Sequence, residues 1–263
     1  MSAREQFLSE YRHIRHAEGR GSDHSDYYRA LPYRDLTGRL SAMWAMRAKT
    51  FRYFERRVLA PIAQRAGRPL RILDLGAGNC WMSYRLSLRG HRPVAVDIFD
   101  DERDGLRAAH HYGNWFPVLQ ADFDDLPLPS GRFDLAIYNS SLHYSTDYRR
   151  TLAEAKRCLS TSGWLVVLDS PVYRRREHGL RMVEERHTDF LSRYGFRSDA
   201  IASIEFLDLG TLRELSEDLG VRWRVRRPWY GWRWHLRPYA AWLKRRRPPS
   251  RFWILAGRFE SNK

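Results

Sequence analysis

From residue 70 onward the chain alternates short apolar runs with amphipathic stretches. Ile72, Leu73 and Leu75 make the first run, and a helical pattern then carries Met82, Tyr84, Leu86 and Leu88 to Gly90. A second run, Arg92-Pro-Val-Ala-Val-Asp97, follows. Residues 100–112 read as a helix with acids in its first turn, where the helix dipole favours them. Residues 116–122, 133–139 and 163–169 read as strands, and 152–159 and 211–220 as helices, the latter stopped at Gly220. Residues 221–227 and 251–259 are the last two strands. This alternation predicts an α/β fold built on a parallel sheet. Upstream, Leu40, Met43, Trp44, Arg47, Phe51, Phe54 and Val58 fall at helical spacing, so residues 36–59 are expected to form one long helix capped by Thr37.

The candidate chemistry starts where the first strand meets its helix, at Arg71-Ile-Leu-Asp-Leu-Gly-Ala-Gly-Asn-Cys80. Gly76 permits a tight turn. Gly78 leaves out a side chain where a ligand could approach the backbone. The helix N-terminus beyond offers unpaired N–H groups. About twenty residues on, the second strand ends in Asp97, placed to accept hydrogen bonds from ribose hydroxyls. A glycine turn with a strand-end acid is a nucleoside-binding pattern. The dinucleotide form of that pattern wants Gly or Ala at its sixth position, where this chain has Trp81. An indole there argues against NAD or FAD and leaves room for a cofactor without a pyrophosphate.

Four ordered segments carry a resemblance: Leu73-Asp-Leu-Gly-Ala-Gly78; Val96-Asp97; Gln120-Ala-Asp-Phe123 with Leu126-Pro-Leu-Pro; and Phe133-Asp-Leu-Ala-Ile-Tyr-Asn-Ser-Ser-Leu-His143. Together they resemble class I S-adenosylmethionine-dependent methyltransferases, closest to the small-molecule "type 11" subgroup similar to ubiquinone/menaquinone methyltransferases. One departure is Cys80, which stands at the third glycine of the family's loop. The resemblance implies a Rossmann-like, doubly wound, seven-stranded and mostly parallel sheet. Its last strand is antiparallel, helices cover both faces, and an N-terminal helical lid and insertions are added. It also implies S-adenosyl-L-methionine as cofactor, held by Asp74, Gly76, Ala77 and Gly78 around the methionine moiety. Asp97 and Ile98 would meet the ribose and adenine, Asp122 and Phe123 the adenine, and the Asn139 carbonyl the amino group. No metal is expected. The expected domains are a cap over residues 1–60 and the methyltransferase domain over 61–263, with a substrate-side insertion at 172–204 and a basic aromatic insertion at 229–250.

Charge changes the picture at one place. The chain of 263 residues carries +15, yet residues 222–258 alone hold 12 Lys/Arg and no acid. The stretch 229–250 interleaves six aromatics with six basic residues. That composition suits an anionic membrane surface, single-stranded nucleic acid, or an acidic substrate or sister subunit; a packed aromatic flap with a solvated rim is the plainer alternative. Mean hydropathy is −0.62, and no apolar run is long enough to span a bilayer. The N-terminus lacks the apolar core of a signal peptide, and the two cysteines form no metal or disulfide pattern. A cytoplasmic location is expected, with peripheral membrane contact through 229–250.

The expected activity is methyl transfer to a small-molecule or lipid-linked acceptor by in-line displacement. The alternatives are an RNA methyltransferase using the basic segment and a non-catalytic cofactor-binding scaffold. The sequence after residue 139 is not the Asn/Asp-Pro-Pro-Tyr/Phe type that grips a planar amino nitrogen. His143, at the end of the fourth strand, is the candidate general base; a structural histidine is the alternative there. Tyr144, His187 and Glu184 are weaker candidates.

Overall fold

The computed structural model describes residues 1–113 and 115–260. Four helices precede the sheet: α1 (Ala3–Ala17), α2 (Ser25–Ala30), α3 (Ser41–Phe54) and α4 (Ala60–Ala66). Strand β1 (Arg71–Leu75), helix α5 (Trp81–Leu88) and strand β2 (Arg92–Asp97) form the first βαβ unit. Then come β3 (Val118–Gln120), β4 (Phe133–Asn139), α6 (Tyr148–Cys158) and β5 (Leu159–Leu168). The remainder is β6 (Val172–Tyr173), α7 (Arg176–Tyr194), β7 (Leu207–Asp208), α8 (Leu209–Leu219), β8 (Val221–Arg226), α9 (Trp232–Leu243) and β9 (Ile254–Phe259).

Seven strands make one sheet in the order β3-β2-β1-β4-β5-β9-β8. All neighbours pair in parallel except β9, which runs antiparallel to both β5 and β8. Strand alternation sorts the core into two layers. Ile72, Leu135, Ile137 and Val166 face α2, α3 and α5 through Tyr28, Phe51, Phe54 and Met82. Leu73, Ala136, Tyr138 and Val167 face α6 and α8 through Leu152, Ala155, Leu212 and Leu215. The expected doubly wound sheet is therefore present. The short pair β6–β7 stands apart and roots the insertion that holds α7.

Three expectations on local structure need correction. The helix expected over 36–59 starts at Ser41, because Asp35 ties up the preceding loop. Its carboxylate accepts the N–H groups of Leu40 at 2.7 Å and Thr37 at 3.0 Å, so Thr37 caps nothing. That helix passes through a wide π-type turn, Glu55–Leu59, before α4; Pro61 has no N–H to give the Arg57 carbonyl, and the turn absorbs the missing bond. Residues 100–112 do not form an α-helix. The Asp101 side chain accepts the N–H groups of Arg103 and Asp104 at 2.9 and 3.0 Å, and a 3₁₀ helix begins only at Leu106. An aspartate bonding its own following backbone competes with the helix ladder. Among the described residues, no helix is long and apolar enough to cross a membrane, and no cluster of His, Cys, Asp and Glu could hold a metal ion.

Candidate functional site

A cleft enclosing about 1100 Å³, its open mouth included, lies over the carboxyl ends of the central strands. This is the position where open α/β sheets take ligands, at the point where strand order reverses between β1 and β4. Its floor is the turn after β1. Gly76 has φ +74°, and its N–H and that of Ala77 both donate to the Val96 carbonyl at 2.8 and 3.0 Å. These two amides are spent on the turn itself rather than offered to a ligand. A Cβ on Gly76 would lie 2.2 Å from Ser141 Cβ, so the close passage of the loop after β4 also demands glycine there. Gly78 is different: the nearest atom to a built Cβ is the Asp104 carbonyl oxygen at 3.7 Å, ordinary contact.

The Gly78 N–H donates to Asp97 Oδ2 at 2.7 Å, and the Phe99 N–H donates to Asp97 Oδ1 at 2.9 Å. Burial raises the Asp97 pKa, and those backbone donors oppose the rise. Cys80, at the third glycine of the resembled loop, is held at φ +62° with its side chain fully buried. That backbone explains why glycine suits the position; here a small thiol occupies it.

The structure brings most of the expected residues together. Gly76, Ala77, Gly78 and Asp97 line the cleft, as do Ile98, Asp122, Phe123 and Asn139. Asn139 Oδ1 is buried without a hydrogen-bond partner. Two expected residues stand elsewhere. Asp74 lies beneath the turn, 1% exposed, and accepts the Ser83 hydroxyl at 2.8 Å while its other oxygen has no partner. Burial pushes its carboxyl up to about 7. His143 sits in the turn after β4 but does not line the cleft; it is buried, with Nδ1 3.4 Å from Ser170 Oγ. Burial, aided by Arg186 and Arg47, pushes its imidazole down to about 3. It is neutral near pH 7 and a weak base, so the structure does not support it as the catalytic residue. Of the weaker candidates, Tyr144 lines the cleft, His187 binds the buried Glu205 at 2.8 Å, and Glu184 pairs with Arg197 on the surface.

Sequence reasoning missed several lining residues. Phe7, Tyr11 and Arg15 of α1 line the cleft. Tyr11 packs edge-on against Phe99 and Tyr144, with ring centres 5.0 and 5.7 Å apart. Arg15 pairs with Asp104, which also accepts the Asn79 amide at 3.1 Å. Trp44 and Arg47 of α3 form one wall, and Ile201 comes from the insertion after β5. The i, i+4, i+7 spacing of Phe7, Tyr11 and Ile14 was a usable signal for α1, but nothing in that spacing says what the helix covers.

Comparison with known proteins gives this site a family. Residues 73–167 match the family model described as a methyltransferase domain. A malonyl-[acyl-carrier protein] O-methyltransferase from Geobacter sulfurreducens is 34% identical over 111 residues, which are 41% of this chain and 41% of that protein. A demethylmenaquinone methyltransferase from Thermus thermophilus is 32% identical over 130 residues, 47% of this chain and 58% of that one. The alignments thus span only about two fifths to three fifths of these relatives. The crystal structure of an S-adenosylmethionine-dependent methyltransferase from Mesorhizobium loti has the same fold, with a TM-score of 0.53 at 22% identity over 73% of this chain and 91% of that one. Residues 73–167 therefore form a methyltransferase domain, and they supply the floor of the cleft.

Proposed function

We propose that the methyltransferase domain of this chain binds S-adenosylmethionine in the cleft and transfers its methyl group to a small-molecule or lipid-linked acceptor. The observation that carries the reading is Asp97: an acid at the carboxyl end of β2, hydrogen-bonded to the glycine turn and facing a cleft able to hold a nucleoside. Each of its oxygens accepts one backbone N–H and keeps acceptor capacity for ribose hydroxyls. The residues also fit the cofactor at the other end. The unpartnered Asn139 Oδ1, with the backbone carbonyl of that residue, suits an ammonium group. Asp122 and Phe123 would meet the adenine.

The cofactor supplies a methyl group already activated on a sulfonium sulfur. The chain's part is to orient the acceptor in line with that methyl and to keep water out, and proximity supplies most of the acceleration. Phe7, Tyr11 and Ile201 line the cleft from elements outside the sheet, which suits a lid role. Burial lifts the Tyr11 phenol well above its usual range, which makes it a hydrogen-bond donor at neutral pH rather than a base. Calorimetry with S-adenosylhomocysteine tests the reading; a folded sample with no binding heat at millimolar ligand would end it.

The lipid-linked option has its own support in α9. Trp232, Leu236, Tyr239 and Leu243 fall on one helix face, joined by Trp242, and all point to solvent; Trp232 is 75% and Trp242 78% exposed. The opposite face packs through Trp234 on Tyr230 and Phe252. Exposed indoles on a segment with many cations and no acid suit an anionic bilayer surface. The helix is rooted beside the cleft wall: the Tyr230 hydroxyl lies 2.9 Å from Thr50 Oγ1, and Lys49 donates to the Tyr230 carbonyl at 2.9 Å, both from α3.

A further inference from the structure

Three arginines line the cleft, and they are not equivalent. Arg15 is paired with Asp104 and Arg20 with Glu18. Arg47 has no carboxylate oxygen within the 4.0 Å limit of an ion pair among the described residues. Its Nη2 donates to Ser140 Oγ at 3.2 Å, and its guanidinium lies 5.3 Å from the centre of the Trp44 ring. Two acids have charges that reach it: Asp169, which is engaged by the Thr50 hydroxyl at 2.7 Å, and Asp104, which is paired with Arg15. Burial lowers the Arg47 pKa, and the nearby Arg20 and Arg15 act in the same direction while Asp169 and Asp104 oppose them. Arg47 is thus a half-buried cation without a direct carboxylate partner among the described residues, and a guanidinium has five N–H donors, of which only one is given to Ser140.

Asp97 ends β2 and Asp122 lies two residues beyond β3, whereas Arg47 is fixed to the residue that follows β4; Asp104 and Asp124 also line the cleft. The planar fork of a guanidinium matches a carboxylate in two-point geometry. We propose that Arg47 is a carboxylate-binding site of the cleft, placed to hold an acid group of one of the reactants. This rests on the methyltransferase reading for which reactants are present. The carboxylate comes either from the amino-acid end of the cofactor or from an acidic acceptor.

Two titrations decide, each on the wild-type chain, Arg47→Met and Arg47→Lys, with folding checked by circular dichroism. The first compares S-adenosylhomocysteine with 5′-methylthioadenosine, which lacks the amino-acid carboxylate. The second adds hexanoate, with and without saturating nucleoside. In one of the two, Arg47→Met should weaken the carboxylate ligand by roughly tenfold or more, with partial rescue in Arg47→Lys and little change for 5′-methylthioadenosine. A loss in the first titration assigns the site to the cofactor, and a loss in the second to the acceptor. Unchanged affinities in both overturn the proposal, as does an equal loss for 5′-methylthioadenosine, which would mark a merely structural role. If the wild-type chain binds neither nucleoside, the methyltransferase reading fails while the hexanoate titration still judges Arg47. If the variants do not fold, preference of the wild-type chain for S-adenosylhomocysteine over 5′-methylthioadenosine, or for hexanoate over hexanamide, upholds a carboxylate site, and the absence of both preferences rejects it.

Discussion

Asp97 Oδ2 accepts the Gly78 N–H at 2.7 Å, joining the acid that ends β2 to the turn that opens α5 across 19 residues of sequence. The same carboxylate takes the Phe99 N–H, so one side chain organises both loops that frame the cleft.

Asp97→Asn removes that double role. An amide offers one acceptor oxygen, so either the Gly78 or the Phe99 N–H faces an NH₂ group. Stability should fall by about 1–3 kcal/mol, the cost of an unmet buried donor. Affinity for S-adenosylhomocysteine should drop by roughly tenfold or more, as expected for lost charge-assisted bonds. Urea unfolding and calorimetry read the two effects; a variant matching the wild type in both would show that Asp97 does not organise the site.

Cys80 trades backbone strain against burial. Its φ of +62° disfavours a side chain, yet the thiol is fully buried. Cys80→Gly should lie within about 1 kcal/mol of wild type, because relief of the left-handed backbone offsets the lost contacts. Cys80→Val should lose more than about 2 kcal/mol, since a β-branched residue resists that conformation. Chemical denaturation gives both numbers, and equal stability of Gly and Val variants would refute the backbone argument.

Asp74 predicts a pH dependence. Its folded pKa of about 7 lies above the ordinary carboxylate value, so the native state holds the proton more tightly than the unfolded chain. The stability from this group is complete below the unfolded pKa, near 4, and is lost as pH rises through about 7. Asp74→Asn does not titrate. Relative to wild type it should therefore gain about 1 kcal/mol per pH unit across that window. Urea midpoints at several pH values test this; a difference independent of pH would mean the carboxyl titrates normally.

The exposed face of α9 predicts a separable membrane contact. Trp232→Ser combined with Trp242→Ser should leave stability within about 0.5 kcal/mol, as for other exposed positions. The same variant should sediment less with vesicles containing phosphatidylserine. Wild-type binding no greater than that of the variant, or no wild-type binding at all, would reject the contact.

Much of the sheet was legible in the sequence, because strand-length apolar runs and glycine turns are local signals. Gly76, Gly78 and Asp97 could be named as cleft candidates from the glycine turn and the strand end, and Asp122 and Asn139 from what the family resemblance implies. Asp74 could not be placed that way. It belongs to the same motif as the glycines, yet β-strand alternation turns its carboxyl under the turn toward Ser83. His143 follows the right strand, but its backbone carbonyl accepts the Glu205 N–H at 2.8 Å and its ring is buried, as the structural alternative expected.

The sequence by itself determined the order of strands and helices and the nucleoside-type floor, since these depend on residues close together in the chain. Only the tertiary structure decided what stands across from that floor. Arg47 and Ser140 are separated by 93 positions, and Arg15 and Asp104 by 89. No spacing rule links such pairs. They meet because α3 buries Phe51 and Trp44 in the core against a sheet that begins later, and Phe7 of α1 packs on Tyr144 beyond β4, which brings their polar side chains to the rim.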